Sequence, residues 1–194
     1  KKTVYSSEFF VVSAIGSENS PERLHADWLF DGIIEPVLAP AFPDFQIVRA
    51  DKIGTPGSID TQIVRRLLTA KLVIADLTFQ NANAFYEIGI RHVTGLPIVH
   101  VHRTDQKIPF DVSMFRSMPY SVESPQALVI AQRNLLRVVT EAMAPEHETI
   151  NPVTQARGSL KFLETASEPD MVLANQLSSV IVRLSALEAK TRAN

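Results

Sequence analysis

A glutamate set among amide and small side chains, Asn81-Ala-Asn-Ala-Phe-Tyr-Glu-Ile-Gly89, is the stretch of this sequence best suited to chemistry. Asn83, Glu87 and Arg91 are four residues apart, which puts them on one face of a helix. A carboxylate that opens onto a cleft can stabilise a sugar cation at its anomeric carbon, or attack that carbon. Near a helix N-terminus the dipole favours the charged form. The plain alternative is a surface ion pair: Glu followed by Arg four residues on is the stabilising order, worth about 0.2–0.5 kcal/mol.

Other candidates lie around this one. Asp76 ends the apolar run Leu72-Val-Ile-Ala-Asp-Leu77. At a strand end it would either hydrogen-bond a ribose hydroxyl or cap its own turn. Ser13-Ala-Ile15-Gly16 precedes a helix start. Its small residues and amides could cradle a phosphate, though an ordinary strand-to-helix turn is the commoner outcome. The run is neither Gly-x-Gly-x-x-Gly nor a Walker loop. His100 and His102 share one strand face, but no third zinc ligand is near, so core or cleft hydrogen bonding is favoured over a metal site. Ile108-Pro-Phe-Asp111, with Arg116 beyond, reads as a loop over the cleft. No Gly-x-Ser-x-Gly elbow or Ser-His-Asp order occurs.

These residues need a scaffold, and the periodicity supplies one. Continuous apolar runs at 9–15, 45–50, 72–77 and 98–102 read as strands buried on both faces, and 118–122 as a short edge strand that tolerates Pro119. Helical spacing links them: Leu24, Trp28, Leu29, Ile33, Ile34 and Leu38, capped by Ser20 and ended by Pro40 and Pro43; a helix capped by Ser58; residues 83–94, ended by Gly95 and Pro97; and a helix from Pro125 to about Met143. Five strands alternating with helices predict an α/β domain over residues 1–144, a parallel sheet covered on both faces. Residues 145–169 read as a linker. In 170–194, Leu173, Leu177, Val180, Leu184 and Leu187 form a heptad seam. It serves either a homo-oligomeric coiled coil or a helix packed on its own domain.

Composition narrows the partners. The 194 residues are 45% hydrophobic with a net charge of −2, enough for one core and without the basic excess that nucleic acid demands. There is no cysteine, which rules out thiolate metal sites and disulfides and fits a reducing, cytoplasmic setting. No apolar run reaches the roughly 18 residues that span a bilayer, and no secretory signal is seen.

The stretch from Asp76 to Gly89, followed by Gly95-Leu-Pro97, resembles the nucleoside 2-deoxyribosyltransferase-like group and the related TIR-like (Toll/interleukin-1 receptor-like) domains of bacterial defence systems. Val12-Ser-Ala-Ile-Gly16, Arg49-Ala-Asp51 with Pro56-Gly57 and Gln62-Ile63, and Ile108-Pro-Phe-Asp111 resemble the TIR-like subgroup. The likeness spans roughly residues 9–122. Leu96 stands where these families usually have lysine, and Asn83-Ala-Phe-Tyr86 where the transferases often have Gly-Thr; the latter favours the TIR-like branch. The resemblance implies a flavodoxin-like sheet and cleavage of an N-glycosidic bond, with NAD as substrate and not as retained cofactor. It puts the catalytic carboxylate at Glu87 and substrate contacts at Ser13, Ile15, Gly16, Asp51, Asp76, Asn83 and Tyr86, with no metal. It leaves two alternatives, a non-catalytic nucleotide-binding or interaction module and a deoxyribosyl transferase.

Overall fold

A computed structural model describes residues 5–52, 59–108 and 117–165, with positions 167, 170, 172, 174, 176–180 and 182 beyond them. The chain divides into two compact units, the first ending at Thr154. Pro56-Gly57, the Ser58 cap, Pro109 to Arg116 and the seam residues Leu173, Leu184 and Leu187 lie outside the described residues.

Five strands form one sheet: β1 (Ser6–Val12), β2 (Gln46–Arg49), β3 (Ala70–Asp76), β4 (Ile98–Arg103) and β5 (Ser117–Tyr120). All neighbours run parallel, in the order β2-β1-β3-β4-β5. This is the flavodoxin-like order, and its direction of winding reverses between β1 and β3. Ligands of such sheets bind at that switch, outside the carboxyl ends of the strands. Ser13 follows β1 and Asp76 ends β3, so the topology brings both to this edge.

Side-chain alternation along each strand feeds two cores. Phe9, Val11, Leu72, Ile74, Val99 and Val101 pack on one face against Leu29, Phe30, Ile33, Ile34, Leu38, Leu135 and Val139. These helical residues belong to α1 (Pro21–Leu29), α2 (Glu35–Ala41), the π-turn Phe30–Ile34 between them, and α5 (Pro125–Ala142). Phe10, Val12, Val73 and Ala75 pack on the other face against Leu67 of α3 (Ile59–Thr69) and Ala84 and Ile88 of α4 (Ala82–Thr94). Burial on both faces is why these strands read as unbroken apolar runs and do not alternate.

Two expectations need correction. The first helix does not run straight to Pro40. It widens into the π-turn just before Pro36, which has no N–H to give an i→i−4 bond, and Pro40 lies inside α2. Secondly, most of the expected linker is a helix, α6 (Pro152–Thr165). Asn151 caps it: its Oδ1 accepts from Val153 N and Thr154 N, and its own N–H donates to Thr154 Oγ1 at 2.9 Å. Asn-Pro-Val-Thr, a cap followed by proline at the first helical position, was a legible signal. In the second unit, Leu177 and Val180 of the seam are exposed. Among the described residues no helix is long and apolar enough to cross a membrane.

Candidate functional site

The carboxylate of Glu87 sits in the second turn of α4. Asn81 starts this helix, its Oδ1 accepting from Asn83 N and Ala84 N, and Gly95 ends it in the left-handed region at φ 68°. Ala84 and Ile88 turn the helix face inward, and Glu87 beside them is partly buried. Asn83 and Tyr86 are exposed, Tyr86 at 69%, so it is not a core ring.

Burial raises the Glu87 carboxyl to about 7. This is opposite to the direction expected from the helix dipole, for two reasons. The dipole acts within the first turn and is worth about 0.3–1 kcal/mol, and Glu87 is the sixth residue of α4. Desolvation of a carboxylate is the larger effect.

The ion-pair alternative also fails. Arg91 is 0% exposed and points away from solvent. Its Nη1 donates to Leu67 O at 2.9 Å, Nη2 to Pro97 O at 2.8 Å and Lys71 O at 3.3 Å, and Nε to Pro97 O at 3.2 Å. The guanidinium thus staples the end of α3, the start of β3 and the turn before β4. Burial lowers its pKa to about 9, which still leaves it charged at neutral pH. Among the described residues no hydrogen bond or ion pair engages Glu87, and desolvation is the cause of its shift.

An unpaired, desolvated carboxylate is a stability cost. The folded-state pKa lies above the unfolded value, so the folded protein holds the proton more tightly between about pH 4.5 and 7. Stability falls as pH rises through that window. Glu87→Gln should therefore be neutral near pH 4 and stabilising, on the order of 1–3 kcal/mol, at pH 8. Thermal melts of both proteins at the two pH values check this; equal gains at both would refute it.

Asp76 takes the second of its two expected roles. It is 1% exposed, and the protein's own donors occupy both oxygens. Oδ1 accepts from Thr78 N at 3.0 Å and Thr78 Oγ1 at 2.5 Å, while Oδ2 lies 2.8 Å from His25 Nε2. The hydroxyl of Tyr120 reaches the same nitrogen at 2.9 Å. The carboxylate that was expected near a ribose is instead the centre of a buried network. His25, Thr78 and Tyr120 were not singled out from the sequence, where an isolated His, Thr or Tyr carries no distinguishing pattern.

Ser13, Ile15 and Gly16 lie in the loop after β1. The Ser13 hydroxyl is buried and makes no hydrogen bond among the described residues. Gly16 has φ +61°, and a Cβ there would lie 2.3 Å from Ser20 Oγ. Ser20 caps α1 by accepting from Arg23 N, so glycine is required for this turn to fit against that cap. Asp51 is already engaged. Its side chain is 16% exposed and pairs with the buried Arg49 through two bonds, Nε to Oδ1 at 2.6 Å and Nη2 to Oδ2 at 2.8 Å. Burial pushes its carboxyl up, and the Arg49 pairing overrides this and holds it below the ordinary carboxylate range.

The two strand histidines divide. His100 is buried beside the edge-on ring of His92, and burial with that neighbour lowers it to about 4. His102 Nδ1 meets Ser117 Oγ at 2.8 Å. Among the described residues no cluster of three His, Cys, Asp or Glu could hold a metal.

No family model matches the chain, and no curated protein sequence matches it. Among solved structures, it is similar to the TIR domain of the Toll-related receptor TRR-2 from Hydra magnipapillata. The identity is 14% and the TM-score 0.49, over 69% of this chain and 98% of that domain.

Proposed function

We propose that this chain binds a nucleotide at the carboxyl edge of β1 and β3 and breaks its N-glycosidic bond, with NAD the first substrate to test. One observation carries the reading: Glu87 is a partly buried carboxyl, released by Arg91 and left without a partner among the described residues, with a pKa near 7. Groups shifted in this way by burial cluster at functional sites. The resemblance of the Asn81–Gly89 stretch to glycosidic enzymes points to the same residue.

In this reading the bond from C1′ to the nicotinamide nitrogen breaks. Its electron pair passes to the ring nitrogen, which becomes neutral, and C1′ is left as an oxocarbenium-like centre. The Glu87 carboxylate stabilises or traps that centre. Water then adds at C1′ and gives up a proton, leaving ADP-ribose and nicotinamide. Asn83 and Tyr86, exposed one turn before and next to Glu87, orient the ribose and offer a ring to stack on. The Ser13 hydroxyl, buried and without a hydrogen-bond partner among the described residues, lies in the loop after β1 at the same edge.

The test is direct. The protein is incubated with NAD and with common nucleosides, and free base is measured. Nicotinamide release proportional to protein is the expected result. No free base at high protein concentration, with Glu87→Gln binding NAD as well as the wild type does, would turn the reading to a binding module. The engagement of Asp51 and Asp76 by the protein's own groups favours that second reading. A new nucleoside on adding an acceptor base would instead mark transfer.

The exposed seam residues Leu177 and Val180 support assembly through the C-terminal helix. In light scattering, Leu177→Glu with Val180→Glu should yield a species of lower mass than the wild type. Equal masses would count against the seam.

A further inference from the structure

We propose that Asp76, His25 and Tyr120 form a positioning device for Glu87, an inference that rests on the glycosidic reading above. None of the three meets a substrate; all are buried. Their geometry dictates where the proton lies. A carboxylate only accepts, so His25 Nε2, 2.8 Å from Asp76 Oδ2, carries the hydrogen. It donates to Asp76, and the Tyr120 oxygen at 2.9 Å takes a share of the same N–H. Burial, and then the charge on Asp76, hold the Tyr120 phenol above its ordinary value, so it stays neutral. Thr78 completes the set, donating to Asp76 Oδ1 and accepting from Arg103 N at 3.1 Å. One network thereby joins α1 and the carboxyl ends of β3, β4 and β5.

What it clamps is the turn that starts α4. Phe79 and Gln80, directly after Thr78, both lie in the left-handed region, at φ 66° and 50°. A bulky aromatic residue there is strained, and such backbone persists where its surroundings over-determine it. Thr78 is bonded to Asp76 through both N and Oγ, and the Phe79 ring meets the His25 ring edge-on at 5.3 Å. Gln80 Nε2 donates to Lys107 O at 3.0 Å. Asn81 then caps α4, with Glu87 six residues on. A turn held this firmly fixes where α4 begins, and with it the depth at which the Glu87 carboxylate is buried. A network serving stability alone would have no bearing on that depth.

Tyr120→Phe, in the full chain, removes one hydroxyl and keeps the ring. The Glu87 titration, read by carboxyl-carbon NMR and assigned with Glu87→Gln, should fall by about half a unit or more as the carboxyl gains solvent. Nicotinamide release at saturating NAD should fall roughly tenfold to a hundredfold, with KM changed less than about twofold, because misplacement acts on the reacting step. Asp76→Asn should shift the titration in the same direction, and if it does not fold, Tyr120→Phe decides alone. A folded Tyr120→Phe protein with a lower Tm but an unmoved Glu87 midpoint would overturn the proposal. If the wild type releases no base, the glycosidic reading fails, and the titration still decides the clamp.

Discussion

Glu87→Gln should lose at least about a hundredfold in nicotinamide release, since a positioned acid, base or nucleophile contributes about 10²–10⁴-fold. Glutamine keeps the volume and one acceptor oxygen and removes the charge, so the loss isolates the carboxylate. The pH profile sharpens the expectation. With the carboxyl at about 7, the neutral form dominates below that pH and cannot stabilise a sugar cation. Wild-type release should climb through pH 6 to 8, and the residual activity of Glu87→Gln should be flat across it. Glu87→Asp, which withdraws the charge by one methylene, should fall between the two. A Glu87→Gln protein as active as the wild type would end the glycosidic reading outright. The same substitution is expected to stabilise the fold at pH 8, so loss of activity would coincide with gain of stability. Unfolding cannot produce that combination; a carboxylate kept for chemistry at the expense of stability can.

Arg91→Met should cost the most stability of the changes considered. The substitution keeps an apolar stem of similar length and deletes four hydrogen bonds to the carbonyls of Leu67, Lys71 and Pro97. Pro97 O keeps the N–H of Val73 at 3.2 Å, whereas each buried acceptor left without a donor costs about 1–3 kcal/mol, so a total loss of about 2 kcal/mol or more is expected. For a chain of this size that lowers Tm by roughly 4–8 °C. Arg91→Lys keeps the charge but presents a single compact ammonium in place of a planar fork, and should recover only part of the loss. Neither change should raise the Glu87 midpoint. If Arg91 were a charge partner of Glu87, its removal would push that midpoint up, and the NMR titration proposed for Tyr120→Phe would report it.

Much of the scaffold was legible because it is encoded locally. Strands buried on both faces need continuous apolar runs, and 9–15, 72–77 and 98–102 supplied them. Helix ends need particular side chains, and Ser20 and Gly95 stand where the structure puts its caps. The alternation of strand and helix dictated the parallel sheet, and the spacing after β3 put Glu87 on a helix at its carboxyl edge. The π-turn was missed because Pro36 falls inside an otherwise good helical period. Helix α6 was missed because low apolar content outweighed a clear Asn-Pro cap.

Which groups meet was settled by contacts across long stretches of chain. Spacing pairs Glu87 with Arg91, yet Arg91 is drawn to carbonyls 24 and 20 residues away. Asp76 finds His25 at a separation of 51 residues, and Tyr120 reaches that histidine across 95. Short-range patterns carry no record of such meetings. Sequence alone therefore determined the order of elements and the address of the candidate carboxylate, since both follow from periodicity and capping. Only the packed structure decided that Asp76 is claimed from within and that Glu87 is left alone and desolvated, because the electrostatics of a carboxyl depend on everything folded around it.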